Sequence, residues 1–126
     1  MAETIAVFDD DAAILDAMRD ALTEEGYRIV VETTADDALA IVLRERPALV
    51  ILDFWMAGQA AGLQVLRLIR EHPQISATPV LICSADRTAL FDYEDDWRAL
   101  GCETLAKPFD FADMLERVAR LVERPV

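Results

Sequence analysis

Acidic side chains in this chain fall where short apolar runs stop. VFDDD carries Asp9, Asp10 and Asp11 directly after TIAVF, and LVILDFWMAG carries Asp53 directly after ALVIL. Two further runs stop on different chemistry: PVLICS ends on the hydroxyl of Ser84, and CETLA leads into Lys107 and Pro108. Carboxylates crowded together repel one another and lose hydration, so a cluster of Asp9, Asp10 and Asp53 calls for a cation. Hard oxygen ligands that leave positions open to water suit Mg²⁺. An ammonium and a hydroxyl beside that cluster complete a set fit for phosphoryl transfer, in which a protein mostly positions and neutralises oxygens. Lys107 is the only lysine against eleven arginines, as though this position needs a compact ammonium rather than a planar fork. Asp11 reads more simply, as a helix N-cap.

These groups meet only if the runs that carry them are neighbouring strands. Residues 4–8, 27–32, 48–52, 79–84 and 102–106 are short, apolar and rich in β-branched residues, the last most weakly. Between them, residues 12–25, 35–46, 63–72 and 111–123 repeat apolar residues at helical spacing. Thr34 and Asp110 are candidate N-caps, Gly26 and Gly101 sit where a C-terminal glycine belongs, and Pro47 and Pro73 block continuation. Strand and helix alternate five times, and the strands are too apolar to be half-exposed. The pattern predicts an α/β fold, a doubly wound parallel sheet with helices on both faces. In such sheets ligands bind at the carboxyl ends of the strands, so Asp53 ends its strand because that end faces the crevice.

Residues 1–126 read as one domain, with no linker and no room for an output domain. Twenty-four acidic against twelve basic residues give a net charge of −12, which argues against direct binding of nucleic acid. No apolar run approaches the roughly 18 residues of a membrane span. The opening MAETIAVF lacks the basic start of a signal peptide, so a cytoplasmic location and no membrane contact are expected. Cys83 and Cys102 lie in apolar runs without metal-type spacing and read as small buried hydrophobes. His72, just before Pro73, reads as a residue of a helix end rather than a ligand or phosphodonor.

The acid pair in VFDDDAAIL, the strand-ending acid in LVILDFWMAG, the hydroxyl in PVLICSA and the LAKPF segment, in this order, resemble the receiver domain of two-component response regulators. The resemblance spans nearly the whole chain. It implies a flavodoxin-like fold with strand order 2-1-3-4-5 and a stand-alone phosphoreceiver. Asp53 would be the phosphoacceptor, taking its phosphoryl group from a sensor histidine kinase or a histidine phosphotransfer protein. Asp9, Asp10, Asp53 and the backbone carbonyl of Trp55 would hold Mg²⁺. Lys107 would pair with the phosphoryl oxygens, Ser84 would move to hydrogen-bond them, and Ala85 would leave access to the acid. The peptide bond between Lys107 and Pro108 would be cis, a form that X-Pro bonds tolerate. Output would pass to a downstream protein whose identity the sequence leaves open, as it does self-association into a homodimer.

Four departures from that family's pattern bear on function. Thr104 stands where an aromatic residue commonly couples the hydroxyl to a partner surface. Ala57 stands where a proline is usual, and the loop to Gly62 is one residue longer. Residues 86–101 form a longer segment in which Leu90, Tyr93, Trp97 and Leu100 make a helical stripe; the stripe packs on the sheet, or Phe91 or Tyr93 marks a partner surface or replaces the missing aromatic. Trp55 either shields an acyl phosphate from water, with Asp86 as a second modulator of its lifetime, or packs on the neighbouring loop.

Three other functions compete. The first is a phosphate-independent, receiver-like interaction or dimerisation module, against which the full set Asp9, Asp10, Asp53, Ser84 and Lys107 argues. The second is an aspartyl-phosphate enzyme of the haloacid-dehalogenase type, which needs a second acid two residues after the first, where this chain has Trp55. The third is flavin binding, for which the first strand-helix turn offers acids where a phosphate cradle needs donors.

Overall fold

The computed structural model describes residues 2–123. Its elements run β1 (Thr4–Phe8), α1 (Ala12–Glu24), β2 (Arg28–Glu32), α2 (Ala38–Glu45), β3 (Leu49–Asp53), α3 (Ala61–Glu71), β4 (Val80–Ser84), α4 (Arg87–Asp92), α5 (Glu94–Ala99), β5 (Glu103–Ala106) and α6 (Phe111–Val122). The five strands form one sheet in the order β2-β1-β3-β4-β5, and every pair is parallel. This is the flavodoxin-like order expected from the sequence.

Successive side chains of a strand point to opposite faces, so each interior strand feeds two cores. Ile5, Val7, Leu49, Ile51, Leu81 and Cys83 pack with α1 and α6. Ala6, Phe8, Val50, Leu52, Val80 and Ile82 pack with α2, α3 and the α4–α5 segment. Every residue of β3 and β4 is buried, whereas the edge strand β2 is half-buried along its middle. That is why 48–52 and 79–84 read as continuous apolar runs.

Punctuation holds at most boundaries. Asp11 accepts hydrogen bonds from the amides of Ala13 and Ile14 and caps α1, and Asp110 accepts from Ala112 and caps α6. Gly26 and Gly101 both have positive φ. His72 is the C-cap of α3 with an extended backbone, the conformation imposed by the following Pro73.

Two boundaries differ from the expectation. Thr34 is not the cap of α2: its hydroxyl accepts from the amide of Asp36 in a preceding turn, and the helix starts four residues later at Ala38, behind Asp37. Short hydroxyl side chains stabilise local turns as readily as helix starts. The stretch 86–101 is two short helices meeting at Tyr93, with the stripe packed inward: Trp97 is buried and Leu90, Tyr93 and Leu100 lie against the core. The indole N–H of Trp97 donates to the Leu90 carbonyl at 3.0 Å, across the junction between the two helices.

Candidate functional site

The carboxyl ends of β1, β3, β4 and β5 meet at one rim of the sheet. Parallel register puts Asp53 beside Cys83 and Ser84 beside Ala106, one residue before Lys107. Backbone bonds extend the alignment past the strand ends: the amide of Phe54 donates to Cys83 and that of Lys107 to Ser84, both at 2.8 Å. Gly62 lets α3 approach this rim, since a Cβ there would lie 2.6 Å from the carbonyl oxygen of Asp53.

Lys107 reaches between two buried acids. Its Nζ lies 2.5 Å from Asp9 Oδ2 and 3.4 Å from Asp53 Oδ2. Asp9 and Asp53 are only 3% and 9% exposed. Asp9 also accepts from the amide of Asp11 through Oδ1, at 2.9 Å. Burial first, and the Asp9 carboxylate second, push the pKa of Asp53 up to about 6, against the opposing pull of Lys107. Burial works to lower the pKa of Lys107, but the bond to Asp9 and the charges of Asp53 and Asp9 outweigh it and raise the value. The site thus holds more negative charge than one ammonium offsets.

Asp10 is exposed at the mouth, and ligand oxygens of Asp9, Asp10 and Asp53 lie within 4.8 Å of one another. Three carboxylates at that spacing, one open to water, fit a small hard cation that keeps part of its hydration shell.

Among the other expected residues, Ser84 is buried, and its Oγ accepts from the amide of Asp86 at 3.0 Å. Ala85 is exposed above it. Thr104 is half-buried on β5, and its carbonyl accepts from Arg117 at 2.7 Å. The peptide bond between Lys107 and Pro108 is cis. Trp55 is 42% exposed, its ring edge-on to Phe54, and its indole N–H donates to Asp86 Oδ2 at 3.0 Å. Asp86 accepts from Ala89 as well, as the cap of α4; that bond and the one from Trp55 lower its pKa. Phe54 joins Tyr93 and Trp97 in an aromatic cluster directly behind Asp53. Phe91 is 74% exposed. Burial pushes the thiols of Cys83 and Cys102 up to about 12, so neither is a nucleophile.

One participant is invisible to reasoning on side chains. The backbone amide of Ala57 donates to Asp10 Oδ2 at 3.2 Å. Its traces in the sequence are the extra residue of the loop and Ala57 itself, which has the N–H that the usual proline lacks.

The response regulator receiver domain model matches residues 5–119, nearly the whole chain. This chain belongs to that family. As a member of it, the chain has curated relatives such as the transcriptional regulatory protein TcrX of Mycobacterium tuberculosis, 32% identical over 96% of this chain and 50% of TcrX. The phosphate regulon regulatory protein PhoB of Rhizobium meliloti is 30% identical over 98% of this chain and 54% of PhoB. The chain therefore spans about half the length of these relatives. Among solved structures, chemotaxis regulator CheY4 of Vibrio cholerae shares the fold, with a TM-score of 0.84 at 22% identity over 96% of this chain and 99% of CheY4. Response regulator TrrA of Thermotoga maritima, solved in complex with Mg²⁺ and BeF, has a TM-score of 0.78 at 28% identity, over 94% of this chain and 98% of TrrA. Among the described residues no helix is long and apolar enough to cross a membrane.

Proposed function

We propose that Asp53 accepts a phosphoryl group from a phosphohistidine, on a sensor histidine kinase or a histidine phosphotransfer protein, in a Mg²⁺-dependent reaction. The observation that carries this reading is the single ammonium of Lys107 held between two buried carboxylates, Asp9 and Asp53, with Asp10 at the open side. An Asp53 oxygen bonds to phosphorus as the P–N bond breaks, and the imidazole leaves with its electron pair. The product is a mixed anhydride that water can later cleave, which makes a timed mark. The domain turns over no separate substrate; its own chemistry is phosphoryl uptake and slow self-dephosphorylation.

Each residue then has a task. Asp9, Asp10, Asp53 and the Trp55 carbonyl hold Mg²⁺, which offsets charge on the phosphoryl oxygens, as the Mg²⁺ and BeF complex of TrrA supports by likeness. Lys107 pairs with one of those oxygens. Ser84 gives up the Asp86 amide to reach another, and Ala85 leaves the approach open. Because Thr104 offers no aromatic ring, the movement of Ser84 is passed on through Asp86, which caps α4. Output is a changed contact with a downstream protein, and we set this work in the cytoplasm, where such phosphodonors act.

Intact mass after incubation with Mg²⁺ and a small acyl-phosphate donor tests the reading. One added phosphoryl group is expected, absent without Mg²⁺ and absent from Asp53→Asn. No addition, together with no beryllofluoride binding, would mean a phosphate-independent interaction module.

A further inference from the structure

The loop between β3 and α3 is closed by a two-residue turn. Met56 and Gln59 exchange both backbone hydrogen bonds, at 3.0 and 3.1 Å, and the central residues Ala57 and Gly58 have φ of 53° and 74°. Positive φ at both central positions is the mark of a type I′ turn. Glycine adopts it freely, but alanine does so at a cost that the surrounding structure must offset. Proline, with φ fixed near −65°, cannot occupy position 57 in this turn at all.

The turn aims one donor at the acidic cluster. Asp9 is fixed by Lys107 and by the Asp11 amide, and Asp53 is paired with Lys107. Asp10 has neither partner. Among the described residues the only hydrogen bond to its side chain comes from the amide of Ala57, to Oδ2. That bond fixes an otherwise free, exposed carboxylate. Backbone and side-chain groups that orient a metal ligand in this way raise affinity by limiting the ordering needed on binding.

We propose that the Ala57 amide is a positioning group for Mg²⁺: it holds Asp10 at the mouth of the cluster, so the shape of the Ala57–Gly58 turn sets how tightly the cation binds. The role rests on the reading of Asp9, Asp10 and Asp53 as a Mg²⁺ site. It also gives Ala57 a purpose, since a proline at position 57 would have no N–H to offer.

An amide-to-ester replacement at Ala57, made by semisynthesis with lactic acid, removes this donor and keeps the side chain. Titration calorimetry with Mg²⁺ alone, without phosphodonor, reads the effect, and melting in EDTA checks that the fold is kept. The ester is expected to bind Mg²⁺ about tenfold more weakly. Gly58→Val keeps every donor but resists the turn, so it weakens binding several-fold and decides the matter if the ester does not fold. Native affinity in the folded ester, or in Gly58→Val, overturns the role of Ala57 alone. A native chain that binds no Mg²⁺ overturns the reading of the cluster as well.

Discussion

The rim where β1, β3 and β5 end and the α4–α5 segment behind it touch through Phe54, and they are held together by opposite means. At the rim, Asp9, Asp53 and Lys107 are buried charges whose balance is incomplete, so the native state there depends on protons and cations. In α4–α5, Tyr93 and Trp97 pack on Phe54, and the one polar group of the Trp97 ring is satisfied by Leu90. The contrast teaches where responsiveness comes from. A charge cluster one cation short answers to a ligand, while a filled aromatic cluster answers to nothing but the position of its neighbours.

The largest effects should separate the two regions. Trp97→Ala removes a buried indole and leaves a cavity, and is expected to lower stability by about 3–5 kcal/mol. Lys107→Ala leaves Asp9 and Asp53 buried without their ammonium, and is expected to cost about 3 kcal/mol in EDTA. Urea unfolding with and without Mg²⁺ distinguishes them. Added Mg²⁺ should recover much of the Lys107→Ala loss, because a cation can stand in for a cation, and should give Trp97→Ala no more than it gives the native chain. Equal recovery in both variants would erase the distinction between the regions.

A smaller effect sharpens the electrostatic half. The folded pKa of Asp53, about 6, is raised above the ordinary 3.8, so folding favours its protonated form. Stability from this group is therefore highest at low pH and falls as pH rises from about 4 to about 6. In EDTA, Asp53→Asn should be more stable than the native chain by about 1–3 kcal/mol at neutral pH, with the gap closing below pH about 4. Mg²⁺ affinity of the native chain should climb over the same interval, since only the carboxylate binds the ion. A stability difference independent of pH would show that Asp53 is not strained by its burial.

The same contrast explains what could be read from the amino-acid sequence. Charged residues closing apolar runs are conspicuous, because an acid directly after Ala48–Leu52 points to the crevice end of a strand. The alternation of strand and helix then predicts a parallel sheet, while its 2-1-3-4-5 order follows from the receiver-domain resemblance. The aromatic stripe was legible as a packed face, but the break at Tyr93 was not, because Glu94, Asp95 and Asp96 suit either the first turn of a new helix or an exposed face. Thr34 misled for a related reason, since a hydroxyl that serves a turn looks like one that caps a helix. The Ala57 amide and the Trp55–Asp86 bond lay beyond reach because one is backbone and the other joins residues 31 apart.

Trp55 belongs to both regions, and its variants test how they are joined. Its ring leans on Phe54, at the edge of the aromatic cluster, while its N–H is tied to Asp86 beside Ser84. Two tethers hold a bulky apolar group two residues from Asp53, and if Asp53 is the phosphoacceptor, as proposed, the ring would limit the approach of water to its acyl phosphate. Trp55→Asn should hasten loss of the phosphoryl group about tenfold, equivalent to roughly 1.4 kcal/mol in the barrier, as followed by intact mass after donor removal. Asp86→Ala should have the smallest effect, about threefold, because the ring keeps its contact with Phe54 and loses only one hydrogen bond. The Asp86 carboxyl is held below its ordinary pKa by the Ala89 amide and then by Trp55, so its grip on the indole persists through neutral pH and is lost only as pH falls below the usual carboxylate range. If Asp86→Ala shortened the lifetime as much as Trp55→Asn, the tether and not the bulk of the ring would govern access of water. If neither changed it, Trp55 would be a packing residue of the aromatic cluster and the rim would be open to water on that side.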